Sequence, residues 1–239
     1  MANARAVWRQ HVTSLVDSAL GRNDAVLEDV SAAIARTVRS GGRVFAFGAG
    51  HSISLVSEMY RRAGSFRALR PVWNAELTSH EDADEETKGQ LEAASGYYRE
   101  LTRDLDWGPG DLCWVISNSG RNALVVEFAQ EAKRRGVEVV ALTSVQHSTA
   151  VPPTPGLPRL LDIADHVLDN AGRLGDAAVD IPGLAEAFAP TSTIIGAALI
   201  HSAWAGAAER LAAAGHVPDV WASANSGPVA VGPKPEGGQ

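Results

Sequence analysis

Cysteine is almost absent from this sequence, since Cys113 is the only one among 239 residues. A disulfide within the chain is therefore impossible, and a zinc site built on thiolates would need several more cysteines. A single thiol in a chain of this length is typical of a reducing compartment, so the sequence predicts a cytoplasmic protein.

An excess of positive charge is also missing. The chain has 21 Lys and Arg residues against 28 Asp and Glu residues, which gives a formal net charge of -7. This balance disfavours an extended electrostatic contact, so neither nucleic acid nor a membrane is predicted as a partner. Hydrophobic residues make up 45% of the sequence and charged residues 21%, which is typical of a folded globular protein.

Long hydrophobic runs are absent as well. Arg5 and Arg9 are not followed by an apolar stretch, so no secretory signal is predicted. The most apolar segment, 194–208, is too short to span a bilayer and contains His201. It is predicted to form a helix inside the protein.

What the sequence does contain is an alternation of strands and helices. Apolar runs rich in β-branched and aromatic residues predict strands at 43–47, 69–73, 112–116, 137–142 and 166–169. Helical patterns cover 5–40, 53–59, 84–104 and 123–135. The four prolines within 145–158 predict a loop. Because the strands are almost entirely apolar, they predict a five-stranded parallel sheet covered on both faces, an α/β fold with three αβα layers.

The domain organisation is predicted to be simple, because no linker is long enough to divide two domains. An N-terminal helical extension at 1–40 is predicted to pack on the core, which occupies 41–225. The Gly/Pro-rich segment at 226–239 is predicted to be a flexible tail.

Two polar turns follow predicted strands. The first, Gly48 to Ser52, leads into a helix, and amides at a helix start can bind an anion. Position 53 is Ile53, so the dinucleotide fingerprint GxGxxG is absent, and the sequence also has no P-loop. Alone, this turn is explained equally well by a chain reversal and by an anion site.

The second turn, Ser117 to Asn122, is richer in small hydrogen-bonding side chains. Four of its six residues carry a hydroxyl or an amide, whereas capping the following helix needs only one. Ligands of open α/β sheets bind at the carboxyl ends of the strands. The two turns together therefore predict a phosphate pocket at that edge of the sheet.

These motifs resemble the sugar isomerase (SIS) domain family over roughly residues 30–225. The resemblance rests on GAGHS at 48–52, ISNSGRN at 116–122 and PTST at 190–193. GDA at 175–177 and SAN at 223–225 are further shared with a bacterial branch of phosphosugar-binding proteins. Similar enzymes are N-acetylmuramic acid 6-phosphate etherase and phosphoheptose isomerase. Asn122 replaces the last hydroxyl residue of the family motif Ser-x-Ser-Gly-x-Thr/Ser.

The resemblance implies a flavodoxin-like SIS fold, a phosphosugar ligand, and a homodimer with the site near the interface. It implies phosphate binding by Ser52, Ser117, Asn118, Ser119 and Asn122. It also implies substrate contacts from Gly50, Asn74, His80, Thr191 and Ser192. No cofactor and no metal are implied, and the histidines lack a metal-ligand spacing such as HExxH.

Proton transfer beside a sugar carbonyl requires a carboxylate or an imidazole, and the sequence offers three main candidates. Glu58 lies on an apolar helix, which would raise its pKa and make it a base, unless it pairs with Arg61 or Arg62. Glu81 is favoured by the resemblance, although the acidic residues around it are also typical of a solvated surface. His51 belongs to the first turn itself.

Three other groups are weaker candidates. His147 and Asp176 lie in predicted loops that can close over the edge of the sheet. His201 is predicted to be a dimer-contact or core residue of its helix.

For an N-acetylhexosamine 6-phosphate, the 2-acetamido group blocks simple aldose–ketose isomerisation. Abstraction of the C2 proton and loss of the C3 hydroxyl remain available, so the first hypothesis is a dehydratase acting on N-acetylglucosamine 6-phosphate. Glu58 or Glu81 would take the C2 proton, and the other, or His51, would protonate the leaving oxygen. The alternatives are an aldose–ketose phosphosugar isomerase that uses the same base, and a non-catalytic phosphosugar sensor.

Overall fold

Five parallel strands form the centre of the fold, in a computed structural model that describes residues 3–78 and 85–223. The strands are β1 (Val44–Gly48), β2 (Leu69–Pro71), β3 (Leu112–Ile116), β4 (Glu138–Thr143) and β5 (His166–Asp169). They are ordered β2-β1-β3-β4-β5, with every neighbouring pair parallel. The predicted five-stranded parallel sheet is confirmed, and its order is that of flavodoxin-like folds.

Helices cover both faces of the sheet, which confirms the three-layer prediction. They are α1 (Ala4–Arg22), α2 (Asp24–Arg39), α3 (Ile53–Met59), α4 (Glu85–Ala93), α5 (Tyr98–Thr102), α6 (Ala123–Arg134), α7 (Val145–Ala150), α8 (Leu160–Ile163) and α9 (Ser192–Ala213). Residues of α1, α2, α3 and α9 share one apolar core with the sheet, and residues of α5, α6 and α8 share the other.

The central strand β3 shows why both faces are apolar. Trp114 belongs to the core on the α9 side, whereas its neighbours Cys113 and Val115 belong to the core on the α6 side. Successive strand residues point to opposite faces, so a sheet covered on both sides needs uninterrupted apolar strands. Burial makes the Cys113 thiol inaccessible. It also raises the pKa of this thiol, so the thiol stays protonated.

The apolar segment at 194–208 forms most of α9, as predicted. Ile195, Leu199 and Ala203 lie along its buried side, packed in the core that includes α2. His201 lies on the exposed side, so the prediction of a core position for it is wrong. Among the residues the structure describes, no helix is both long and apolar enough to cross a membrane.

Two predicted elements differ from the structure. The helix predicted at 84–104 is interrupted, because α4 ends at Ala93 and Gly96 takes a left-handed φ of 87° before α5 begins. The segment 145–158, predicted to be a loop, begins with α7. The Ser144 side chain caps this helix by accepting a hydrogen bond from the His147 amide at 3.0 Å.

An antiparallel hairpin was not predicted from the sequence. Its strands, β6 (Ala177–Val179) and β7 (Phe188–Pro190), are only three residues long, too short for a recognisable alternation. The hairpin leads directly into α9. It therefore places the start of α9 beside the carboxyl edge of the main sheet.

Candidate functional site

A cavity of about 270 Å³ opens at the carboxyl edge of the main sheet. It is lined by His51, Ser52, Leu55, Ile116, Asn118, Leu142, Asn170, Asp176, Pro190, Ser192 and Thr193. In the strand order 2-1-3-4-5 the direction of winding changes between β1 and β3, and ligands of such sheets bind at this switch point. A larger depression of about 500 Å³, along α2 and α9, contains none of the predicted site residues.

The first polar turn forms one wall of this cavity. Gly50 has a left-handed φ of 56°, and a Cβ added there would lie 3.2 Å from Glu92 Oε1. Glycine is therefore needed both for the backbone conformation and for the close approach. His51 is exposed and Ser52 is half-buried, and both line the cavity. Within the described residues the Ser52 hydroxyl has no hydrogen-bond partner, so it is available to a ligand.

The second polar turn lies beside the first, at the end of β3. Its fold is fixed by the buried Ser117, whose hydroxyl accepts a hydrogen bond from the Gly120 amide at 3.1 Å. The Ser119 hydroxyl has no partner in the part of the chain that the structure describes. Asn122 precedes α6 but its side-chain oxygen makes no capping hydrogen bond, while its Nδ2 donates to Glu92 Oε2 at 2.7 Å. The turn therefore offers a free hydroxyl and an uncapped helix start.

Asn118 connects the second turn to two other elements. Its Oδ1 accepts a hydrogen bond from Asn170 Nδ2 at 2.9 Å, and its Nδ2 lies 3.2 Å from His147 Nδ1. Burial lowers the pKa of His147; Asp176 opposes this effect and Arg121 adds to it. A neutral imidazole can accept the Asn118 hydrogen bond, so Asn118, His147 and Asn170 form an uncharged part of the site.

Asp176 organises the start of α9. Its Oδ1 accepts hydrogen bonds from the amides of Thr191 and Ser192 at 3.0 and 2.8 Å, and its Oδ2 accepts one from the Ser192 hydroxyl at 2.5 Å. A carboxylate is favourable at this position because the helix dipole is positive at its N-terminus. The predicted loop residue Asp176 therefore holds two predicted substrate-contact residues in place, and it lines the cavity itself.

Of the predicted site residues, His51, Ser52, Asn118 and Ser192 line the cavity, and Gly50, Ser117, Ser119, Asn122 and Thr191 are their close neighbours in the chain. Two others, Glu58 and Asn74, are outside this group. Glu58 Oε1 lies 2.9 Å from Arg62 Nε and 3.1 Å from His201 Nε2. Of the two environments predicted for Glu58, an apolar one and an ion pair with Arg61 or Arg62, the structure shows the ion pair. Asn74 binds the hydroxyl of Tyr97 at 3.0 Å and lies apart from the lining residues. His80 and Glu81 lie outside the described residues.

Two residues beside the turns were missed by sequence reasoning. Asn170 directly follows β5, so the rule that placed the other turns at strand ends could also have found it. Glu92 lies on α4, within a segment whose acidic character indicated only a solvated surface, and no sequence signal marked it. Among the described residues, no cluster of three histidine, cysteine, aspartate or glutamate side chains could hold a metal ion.

Comparison with known proteins decides the family. The SIS domain model matches residues 7–144, which is more than half of the chain. The chain belongs to the SIS domain family. Relatives of this SIS domain include a UPF0309 protein of Listeria monocytogenes, 33% identical over 213 residues that span 88% of this chain and 85% of the relative. A UPF0309 protein of Brucella canis is 34% identical over 201 residues, 84% of this chain and 81% of the relative.

Solved structures share the fold. Phosphoheptose isomerase GmhA from Neisseria gonorrhoeae superposes with a TM-score of 0.55 at 16% identity, over 84% of this chain and 96% of that one. The NanR protein of Vibrio vulnificus, complexed with ManNAc-6P, gives a TM-score of 0.54 at 18% identity, over 89% and 65% of the two chains. At these identities the similarity establishes the fold alone.

Proposed function

We propose that this SIS domain binds a sugar phosphate at the carboxyl edge of its sheet and dehydrates N-acetylglucosamine 6-phosphate. The observation that carries the proposal is the meeting of two polar turns at the cavity. Each turn has a serine hydroxyl, Ser52 or Ser119, without a partner among the described residues, and the second precedes the uncapped start of α6. Hydroxyls and helix amides bind a phosphate without a basic side chain.

The known sugar-phosphate complex of a protein with the same fold supports this ligand class. The NanR structure holds ManNAc-6P, which is an N-acetylhexosamine 6-phosphate. We place the phosphate against Ser52, Ser119 and Asn122, with Ser117 and Asn118 supporting the second turn. The sugar then extends along the cavity towards Thr191 and Ser192.

The proposed reaction acts on the open-chain aldehyde form of the sugar. A carboxylate takes the proton from C2, and the electron pair is delocalised onto the C1 aldehyde as an enolate. The enolate then collapses to form the C2–C3 double bond and breaks the C3–O bond. The leaving hydroxyl takes a proton and departs as water, so one substrate gives one unsaturated product and one water. His51, exposed at the cavity, is our candidate for the group that protonates the leaving oxygen.

We assign the abstraction of the C2 proton to Glu81, with Glu58 as the second candidate base. Glu58 lies in an ion pair with Arg62 and within 3.1 Å of His201 Nε2, so as a base it would have to leave these partners. Glu81 is favoured by the family resemblance, in which a His-Glu pair occupies this position. Glu81→Gln should therefore abolish exchange of the C2 proton while sparing binding, and Glu58→Gln should retain exchange. If only Glu58→Gln abolishes exchange, the two roles are reversed, and if neither variant does, both assignments are wrong.

The decisive experiment is incubation with a panel of hexose and hexosamine 6-phosphates in deuterated water, followed by proton NMR. The dehydratase proposal expects loss of the C2 proton signal and a new vinyl signal with N-acetylglucosamine 6-phosphate. If the protein binds none of the sugar phosphates in the panel, the proposal as a whole is wrong.

An aldose–ketose isomerase is the second candidate, because phosphoheptose isomerase shares the fold. Formation of a ketose that carries deuterium at C1, with deuterium at C2 of the recovered aldose and no unsaturated product, would favour it. A non-catalytic sensor is the third candidate, because the SIS domain of an RpiR transcription factor from Sphaerobacter thermophilus has a TM-score of 0.50 to this chain. Thermal stabilisation by a sugar phosphate without any exchange would favour the sensor.

We also propose a homodimer with the site near the interface. Four large apolar side chains are exposed within 174–194, the segment that forms the hairpin and the start of α9; they are Leu174, Leu184, Phe188 and Ile194. Such a group of exposed apolar residues beside a cavity is typical of an interface. Phe188→Glu should shift the molar mass measured by light scattering from dimer to monomer, and a monomeric wild-type protein would contradict the proposal.

A further inference from the structure

The carboxylate of Glu92 lies between the two polar turns. Glu92 is in the last turn of α4 and is half-buried. Its Oε2 accepts a hydrogen bond from Asn122 Nδ2 at 2.7 Å. Its Oε1 lies 3.2 Å from the position that a Cβ on Gly50 would occupy. One side chain therefore reaches both turns, and the missing side chain at position 50 leaves room for it.

The two oxygens of this carboxylate are in different situations. Oε2 is held by Asn122, whereas Oε1 has no hydrogen-bond partner in the described ranges 3–78 and 85–223. Oε1 is therefore oriented by the bond at Oε2 and remains able to accept a hydrogen bond from a ligand. A carboxylate oxygen that is already positioned accepts such a bond without a large entropy cost.

A second contact joins the chain just after α4, the helix that carries Glu92, to α6, which follows Asn122. Glu127 on α6 accepts hydrogen bonds from the Ser95 hydroxyl at 2.5 Å and the Gly96 amide at 2.6 Å. This attaches the turn after α4 to α6, the helix that starts at the second polar turn. The backbone that follows Glu92 is therefore joined to the helix that follows the second turn.

A negative charge at this position is unfavourable for an anion on its own. The proposed phosphate contact at Asn122 is already shared with Glu92, and like charges a few ångströms apart repel each other. A sugar hydroxyl, by contrast, is a hydrogen-bond donor that a carboxylate binds strongly. The group that disfavours free phosphate can thus favour a phosphate carried on a polyol.

We propose that Glu92 is a specificity-determining residue, whose Oε1 accepts a hydrogen bond from a hydroxyl of the bound sugar phosphate and so selects sugar phosphates over inorganic phosphate. This inference rests on the proposed function, since it assumes that the two turns hold the phosphate of a sugar phosphate.

The test is calorimetric titration with two probes, inorganic phosphate and N-acetylglucosamine 6-phosphate. In Glu92→Gln, affinity for the sugar phosphate should fall about tenfold, because a hydrogen bond to a charged acceptor is lost. Affinity for inorganic phosphate should stay the same or rise, because the repelling charge is removed. The matched control is Glu100→Gln, which removes an exposed carboxylate on α5 that pairs with Arg103 and contacts neither turn, and which should leave the ratio of the two affinities unchanged.

Each outcome has a distinct meaning. An equal loss for both probes would overturn the inference, because Glu92 would then only position Asn122. Unchanged affinities for both probes would also overturn the inference, while sugar-phosphate binding itself would remain intact. If the wild-type chain binds neither probe, the proposed function itself fails and the inference falls with it.

A second measurement covers the case in which Glu92→Gln does not fold. The wild-type protein is titrated with glucose 6-phosphate analogues that each lack one hydroxyl. One analogue should bind about tenfold more weakly than the others, because it has lost the donor to Oε1. Equal affinity across the series would overturn the inference.

Discussion

The two edges of the parallel sheet use polar residues in opposite ways. At the amino edge, charged side chains at or near the strand starts are joined in ion pairs: Arg43 with Asp111, Arg36 with Glu138, and Lys133 with Asp165. His166 Nε2 lies 2.8 Å from Glu138 Oε1. At the carboxyl edge, small hydrogen-bonding residues predominate in the turns, and Arg121 donates to the Pro152 carbonyl. The Ser52 and Ser119 hydroxyls have no partner among the described residues. Paired charges hold the strands together at one edge, and unpaired neutral groups remain for a ligand at the other.

This difference also explains how a chain with a net charge of -7 can be proposed to bind a phosphate. The overall charge rules out an extended basic surface, but it says little about one turn. At the carboxyl edge, a ligand meets helix amides and hydroxyls whose partial charges are local. Two carboxylates are exceptions: Asp176 is hydrogen-bonded to the start of α9, and Glu92 discriminates between anions instead of attracting them.

The largest expected effect comes from removing the buried carboxylate of Asp111 at the amino edge. This carboxylate is only 6% exposed and accepts hydrogen bonds from the Arg43 amide at 2.8 Å, the Gly108 amide at 3.0 Å and Arg43 Nη2 at 3.0 Å. Asp111→Ala should lower the free energy of unfolding by about 3 kcal/mol, because buried donors lose their acceptor. Urea denaturation measures this change.

Asp106 provides the control, because its carboxylate pairs with the same Arg43 but is 98% exposed. Asp106→Ala should change the free energy of unfolding by less than about 0.5 kcal/mol. Similar losses in the two variants would show that burial does not decide the stability of this edge. Neither variant should alter the affinity for a sugar phosphate at the opposite edge.

A smaller effect, on binding alone, is expected from the carboxyl edge at Ser119. Ser119→Ala should weaken binding of sugar phosphates about tenfold, because one hydrogen bond to a charged phosphate is removed. Stability should be nearly unchanged, since the hydroxyl has no partner among the described residues. Calorimetric titration and thermal unfolding measure the two quantities, with Ser57→Ala on α3 as a control outside the cavity. A loss of stability without a loss of affinity would reverse the contrast between the edges.

The sequence was informative wherever the physics is local. Each strand is an apolar run of a few residues, and each polar turn follows its strand directly, so both could be predicted from short windows. The start of α7 was missed although its cap is local, because the prolines after it dominated the pattern. The capping residue Ser144 is visible only once the end of β4 is known.

Contacts between distant residues account for the rest. The sequence allowed Glu58 either an apolar site or an ion pair, and its contact with His201 joins residues 143 positions apart. Asp176 binds residues 15 and 16 positions further on, which no helical or strand period connects. Glu92 meets Asn122 only because α4 packs against α6. Such pairs depend on the topology, so they follow from the fold and not from the pattern.

The smallest expected effect tests whether His147, at the carboxyl edge, stays uncharged in the folded protein. Burial lowers the pKa of His147, so as the pH falls below about 6.5, the unfolded chain gains a proton that the folded chain resists. The stability of the wild type should therefore decrease with falling pH relative to His147→Gln, down to the folded pKa. The matched control is Gln146→Ala, an exposed neighbour of His147 on α7 that has no titratable group, which should follow the wild type. Parallel pH profiles for all three proteins would mean that His147 becomes protonated as readily in the folded state, and that the wall beside Asn118 tolerates a positive charge.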